Sequence, residues 1–316
     1  GIDASQYRSV SHDTQKALQA LTDQGIDGLV VDLRNNPGGS LDEVAKMLAM
    51  FIKEGPLVQI RDNRGNVQVF EDTDGGHQFY DGKLSVLINL GSASASEIFA
   101  AAIQDYGRAF VVGSTPTGKG TAQTQRDDLA LGAMTLTQRK FYRVNGGSTQ
   151  TKGVVPDVEL VNIYEGIEFG EREYKNPLPW DTINSTNYHA EGKYSPSLLS
   201  SLNKQSKARQ ASDPQFRYLS ELNAIRTLVD DKKPTEINLQ NRRARLDMIE
   251  KRTLAAENAR RQATGEAPFV DWSTYRANLE ALAEERSAMK ENERPKLPER
   301  EVYVFEAARL MFDAER

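Results

Sequence analysis

There is no cysteine among the 316 residues, which excludes a disulfide scaffold, a thiolate metal site and a cysteine nucleophile. Histidine is nearly as scarce. His12, His77 and His189 are the only three, too few to supply a histidine-based metal cluster. No apolar run approaches the roughly 18 residues that a membrane-spanning helix needs. An excess of one charge is missing as well: 40 basic and 45 acidic side chains leave −5, which offers nothing to a polyanion partner such as nucleic acid. With 23 glycines and 12 prolines the chain is neither collagen-like nor of low complexity. What remains is ordinary for a globular chain, 38% hydrophobic and 27% charged, and long enough for about two domains of roughly 150 residues. The opening Gly-Ile-Asp-Ala-Ser-Gln has neither an initiator methionine nor a basic-then-apolar leader. It reads as the start of a piece excised from a longer protein.

The hydrophobic pattern changes character near residue 160. Before it, short apolar runs alternate with helical periodicity. Thr14 to Asp23 is expected to be a helix, GLVVDL (28–33) a buried strand and NNPGG (35–39) a sharp turn. Ser40 then caps a helix over 40–52, with Glu43 completing a capping box. Residues 57–70 read as a hairpin around Asn63-Arg64-Gly65. LSVLINL (84–90) is a strand that runs into GSASAS and a helix from about Glu97 to Asp105, and AFVVG (109–113) is another buried strand. Residues 134–144 alternate like a strand pair broken by NGG (145–147), while TAQTQRDD after Gly120 is polar and is not a helix start with an apolar stripe; Lys119 sits at the mouth of the next strand. Strands alternating with helices mean an α/β layer architecture.

After the Pro-rich junction NPLPW (176–180) the reading is helical, with segments at 197–212, 214–229, 237–262 and 272–291. The stretch Arg242–Arg261 holds seven basic and three acidic residues, and is read as a solvated helix face with i,i+4 pairs rather than a nucleic-acid surface.

Two places could carry chemistry. GSTPTGKG (113–120), leaving a strand, matches a phosphate-binding P-loop up to its last residue. There Gly120 replaces the Ser or Thr that would ligate Mg²⁺, and Pro116 removes one backbone N–H donor, so a nucleotide site is the weaker reading. The second is Gly91-Ser92-Ala93-Ser94-Ala95-Ser96-Glu97, at a strand–helix junction. Small residues there could simply let strand and helix approach, with one serine as cap. A serine there could also be a nucleophile, because a helix N-terminus offers unpaired N–H groups to an oxyanion. No histidine stands near a plausible aspartate partner, which makes a Ser-His-Asp triad unattractive without excluding it. A lysine serves if desolvation holds it neutral, and Lys119 has no acidic residue within six positions.

Four motifs in order now resemble a family: DLRNNPGGSLDEV (32–44), SASASEIFAAAIQDYGRA (92–109), TGKGTAQ (117–123) and KFYRVNGGSTQTKGVVPD (140–157). They are similar to the tail-specific, or C-terminal processing, serine proteases, most closely the long bacterial type with a helical C-terminal region. The match covers about residues 10–160, with weaker signals in NPLPWD (176–181) and the tail. The resemblance implies a crotonase- or Clp-like spiral of ββα units as protease core over 1–175, followed by an all-α domain over 176–316.

It also implies a Ser/Lys dyad with the serine 25 positions before the lysine, which selects Ser94 as partner of Lys119. Gln123 is the expected lysine-orienting amide and Asp105 a structural support. Ala95 and Gly39 are the oxyanion-hole positions, with Gly38 the alternative. No metal or cofactor is called for. The implied partners are protein substrates with accessible C-terminal tails, and an adaptor protein is conceivable; neither nucleic acid nor a membrane span is. The implied location is the periplasm. Family members place a PDZ domain before this core, and none is legible here, so the expectation is chemistry without the targeting. An inactive fragment or interaction scaffold is the competing reading.

Overall fold

The computed structural model describes residues 9–71, 78–129, 132–229, 237–289 and 298–315. His77 lies outside them, as does the expected helix end at Glu291. The chain forms two compact units. One comprises Gly1–Glu159, Glu168–Lys204 and Ala307–Arg316, the other Leu160–Ile167 and Gln205–Glu306.

In the first unit Ser9 caps α1 (Val10–Asp23), which starts four residues before the expected point. It is followed by β1 (Leu29–Asp32), α2 (Leu41–Ala49), β2 (Pro56–Asp62), β3 (Val67–Glu71), β4 (Leu84–Ile88), α3 (Ala95–Asp105) and β5 (Phe110–Gly113). Next come β6 (Thr121–Leu129), β7 (Gly132–Tyr142) and the short β8 (Val158–Glu159). Strands β1, β4, β5 and β8 form a parallel sheet in the order 1-4-5-8, and β3, β2, β7 and β6 an antiparallel sheet in the order 3-2-7-6. β4 and β5 are buried along their whole length, as strands covered on both faces must be, and so read as unbroken apolar runs. Their cover includes α2, the residues just after it and α3, through Leu48, Phe51, Phe99 and Ile103. Phe51 and Phe99 meet edge to face at 5.7 Å. An α/β core with a parallel sheet is what the alternating pattern predicts.

Two local expectations fail for physical reasons. Ser40 Oγ does accept the Glu43 N–H at 3.4 Å, but the Glu43 carboxylate does not turn back to complete the box. It accepts instead from Ser9 Oγ, the Ser11 N–H and Ser11 Oγ, which tie α2 to the start of α1. The polar stretch after Gly120 is the strand expected beyond Lys119: β6 pairs with β7 in a ribbon exposed over most of its length, where no apolar alternation is required. Residues 134–144 are correspondingly one side of that ribbon and not a strand pair.

The junction 176–181 is sewn to the core. Trp180 Nε1 donates to Ser148 O at 2.7 Å, and the Asp181 carboxylate accepts from Arg61, Lys140 and Tyr142. Segments 176–204 and 307–316, which composition assigns to the helical part, therefore pack with the α/β core.

The helices after the junction are α4 (Pro196–Ser212), α5 (Pro214–Leu228), α6 (Leu239–Ala263), α7 (Trp272–Ala288) and α8 (Pro298–Asp313), the last without a counterpart in the sequence reading. In the second unit Phe216, Leu219 and Val302 are buried together, with Val161, Ile163 and Tyr303 against them. Much of the basic stretch is neutralised within the unit. Arg252 pairs with Glu221, Arg260 with Glu257 and Glu266, and Lys251 with Asp247. Paired cations of this kind leave little net field for a phosphate backbone.

Candidate functional site

The NNPGG turn after β1 and the GSASAS turn after β4 are zipped to one another. Asn89 Nδ2 donates to Asn35 Oδ1 at 3.0 Å, while Asn89 Oδ1 accepts the Asn35 N–H at 2.8 Å. The Ala93 N–H and Ser96 Oγ both donate to Asn36 O at 3.0 Å. Gly38 closes the seam. Its φ is +96°, and a Cβ there would stand 2.6 Å from Ala93 O and 2.8 Å from both Ala95 N and Ser94 Cβ. Gly38→Ala is thus expected to cost about 1–3 kcal/mol of stability from backbone strain alone, and to lower any activity that depends on the 93–95 turn. A thermal melt with a parallel turnover assay measures both.

The three serines separate by environment. Ser92 is fully buried, donates from Oγ to Leu33 O at 2.8 Å and accepts the Asn89 N–H at 3.0 Å. Ser96 is 4% exposed and spends its hydroxyl on Asn36 O. Ser94 keeps part of its surface open, at the cap of α3, with φ +56° and ψ −113°. A β-carbon-bearing residue held there costs about 1–3 kcal/mol, and such strain gathers where a side chain must be presented at a fixed angle.

Lys119 lies on the loop between β5 and β6. That loop is held to the serine turn from both ends of a single carboxylate. Glu97 is 1% exposed. Its Oε2 accepts the Ser94 N–H at 3.0 Å and the Lys119 N–H at 2.8 Å, while Oε1 accepts the Gly118 N–H at 3.0 Å. The amide nitrogens of Ser94 and Lys119 are therefore no more than ~6 Å apart, the length of two hydrogen bonds end to end. Thr117 adds two bonds to the same turn, from its N–H to Ser92 O and from Oγ1 to Leu90 O. Burial pushes the Glu97 carboxyl up to about 8, against the opposing pull of the three N–H donors and the Arg172 charge.

These bonds also dispose of the nucleotide reading. The N–H groups of Gly118 and Lys119, which would cradle phosphate, are taken by Glu97, and the loop runs into a strand where a P-loop needs a helix.

Around Ser94, the N–H groups of Ala95 and Gly39 face no acceptor among the described residues, whereas the Gly38 N–H donates to Asn36 Oδ1 at 2.9 Å. Asp105 stands at the far end of α3, some 16 Å from Ser94 at 1.5 Å per residue. Its carboxylate, 4% exposed, accepts from Arg143 through two bonds and from Asn145, and burial raises its pKa against the pull of Arg143. Gln123, on β6, is exposed and donates to Thr137 Oγ1 across the ribbon at 3.4 Å; the structure does not bring its amide onto Lys119. Among the described residues no group of three His, Asp or Glu could hold a metal ion, and no helix is long and apolar enough to cross a membrane.

Glu97 escaped sequence reasoning as a site residue. Its signal was present: Ser94 followed by Glu97 three positions on is capping-box spacing, and the carboxylate does reach back to the cap N–H.

A partly open serine at a helix N-terminus, bound through a buried carboxylate to a lysine loop, supplies the parts that acyl transfer uses. Comparison with known proteins agrees with that class. Residues 2–160 match Peptidase family S41, and the chain belongs to this family. Residues 164–316 match the C-terminal domain of tail specific protease.

The chain is 40% identical over 285 residues to the tail-specific protease of Haemophilus influenzae, across 87% of this chain and 41% of that protein. It is 38% identical over 153 residues to a probable CtpA-like serine protease of Staphylococcus epidermidis, across 48% of this chain and 31% of that one. It thus spans well under half the length of these relatives. Among solved structures, the photosystem II D1 C-terminal processing protease is 34% identical with a TM-score of 0.44, covering 48% of this chain and 39% of its own.

Proposed function

We propose that this chain holds the catalytic core of a serine endopeptidase, with Ser94 as nucleophile and Lys119 as general base. The observation that carries the reading is the shared Glu97 carboxylate, which binds the backbones of both residues at once. Lys119 Nζ takes the Ser94 Oγ proton as the oxygen attacks the scissile carbonyl carbon. The carbonyl oxygen becomes an oxyanion received by the Ala95 and Gly39 N–H groups. When the C–N bond breaks, Lys119 returns the proton to the leaving amine. Water, deprotonated by the same lysine, then cleaves the acyl-enzyme ester and regenerates Ser94.

Asp105 supports the fold through Arg143 and touches no reacting atom. Gln123 is assigned the orientation of Lys119, for which its amide must leave Thr137. Protein substrates with accessible C-terminal tails, an adaptor and a periplasmic setting are part of the same proposal, and rest on family resemblance.

A fluorophosphonate probe with peptide mapping tests the reading in the intact protein. Labelling at Ser94 is expected, and Ser94→Ala should lower turnover by more than ~10⁴-fold. Ser92→Ala and Ser96→Ala should retain turnover while lowering the melting temperature, since each strands buried partners at about 1–3 kcal/mol. Equal loss of activity in all three folded variants would assign the turn a structural role only.

A further inference from the structure

The lysine loop 116–120 has no regular secondary structure, so its position depends on what grips it. The serine turn and Glu97 hold one side. On another, the Thr151 N–H donates to Gly118 O at 2.8 Å, and Gln150 Oε1 accepts the Gly120 N–H at 2.9 Å. A third grip comes from a short turn at Gly170–Arg172. The Glu171 N–H donates to Thr117 O at 3.0 Å, Arg172 donates from Nη2 to Pro116 O at 2.9 Å, and Gln150 Nε2 donates to Glu171 Oε2 at 3.0 Å. Gly170 has φ +100°, and a Cβ on it would lie 2.4 Å from Thr117 O. The turn is therefore fitted against the loop too closely for any other residue.

Its place in the chain is the informative part. Residues 170–172 lie outside the peptidase-family match and inside the match to the C-terminal domain. Three residues upstream, Leu160–Ile167 belong to the helical unit, where the Val161 N–H donates to Gln210 and Arg226 donates to Ile163 O. The chain leaves that unit and at once engages two carbonyls that precede Lys119.

We propose that Gly170, Glu171 and Arg172 form a clamp that positions the Lys119 loop, which makes Arg172 a positioning residue for acyl transfer and the start of the C-terminal domain a working part of the active site. This rests on the Ser94/Lys119 reading above. The clamp touches no substrate. It acts through Pro116 O and Thr117 O, and a loop displaced by about 1 Å costs up to ~10²-fold in rate.

The test uses Arg172→Ala, Arg172→Lys and Gly170→Ala in the intact protein, with kcat and KM on one peptide, the rate of Ser94 acylation by an activated peptide ester, and thermal melting. Arg172→Ala should lower kcat and the acylation rate together by ~10-fold with KM nearly unchanged, and Arg172→Lys should recover most of it because an ammonium can also donate to Pro116 O. Gly170→Ala should be the more severe. Unchanged kcat and acylation in a folded Arg172→Ala protein overturns the clamp while leaving the dyad standing. A loss that tracks melting temperature and is not recovered by lysine also overturns it. Failure of the unmutated protein to label at Ser94 overturns both.

Discussion

Lys119→Arg should lose turnover by ~10²–10⁴-fold, the range that general-base catalysis contributes, although the positive charge is kept. A guanidinium does not give up its proton near neutrality and so cannot accept one from Ser94 Oγ. Because the Lys119 backbone N–H bonds Glu97 whatever the side chain, the loop should stay in place and the melting temperature should barely move. Lys119→His should recover a trace of rate, since imidazole is already neutral near pH 7. Turnover of a peptide ester by the parent and both variants measures this. An active Lys119→Arg protein would remove the lysine from the mechanism.

Glu97→Gln should be nearly as damaging, for a different reason. The carboxylate has two acceptor oxygens for three N–H groups, and an amide turns one of them into a donor facing a donor. A lost acceptor at a buried N–H costs about 1–3 kcal/mol, and the loss falls where Ser94 and Lys119 are joined. At pH above about 8, where the parent carboxyl is ionised, a fall in kcat of ~10²-fold is expected, with Glu97→Ala lower still.

The carboxyl also makes opposite pH trends in stability and rate. Its pKa is raised from 4.5 to about 8 in the folded chain. The native state therefore holds a proton that the unfolded chain has released, and the stability this confers is full below the unfolded value and is lost as pH rises through about 8. Rate should move the other way, since the ionised form grips all three N–H groups. Measured against Glu97→Gln at each pH, the parent should lose its relative melting temperature between pH 5 and 9. A difference that does not change with pH would show Glu97 to be ionised throughout.

Legibility followed burial. β4 and β5 could be read at once because strands covered on both faces must be apolar throughout. β6 shows no apolar pattern of its own, because an exposed ribbon places no such demand on Thr121–Leu129. The family resemblance selects Ser94 over Ser92 and Ser96, and the structure supplies the physical difference: two hydroxyls engaged with Leu33 O and Asn36 O, and one left partly open. Asn89, ahead of the serine turn, is held by its paired bonds with Asn35. Glu43 misled, because its capping-box spacing is local whereas its actual partners, Ser9 and Ser11, are thirty-odd positions away.

The sequence by itself determined the alternation of elements in the first half, the helical second half, and the serine and lysine as candidates, since these depend on periodicity and on residue types at short separation. Only the tertiary structure decided what joins them. The Glu97 carboxylate has to be buried before three N–H groups from two loops can converge on it. Gly170–Arg172 reach the lysine loop across fifty-odd residues of chain. The junction at Trp180 and Asp181 belongs to the core because its partners Arg61, Lys140 and Ser148 lie far upstream. Hydrogen bonds between segments distant in sequence leave no periodic trace, because their partners are chosen by where the folded backbone brings the donors and not by spacing along the chain.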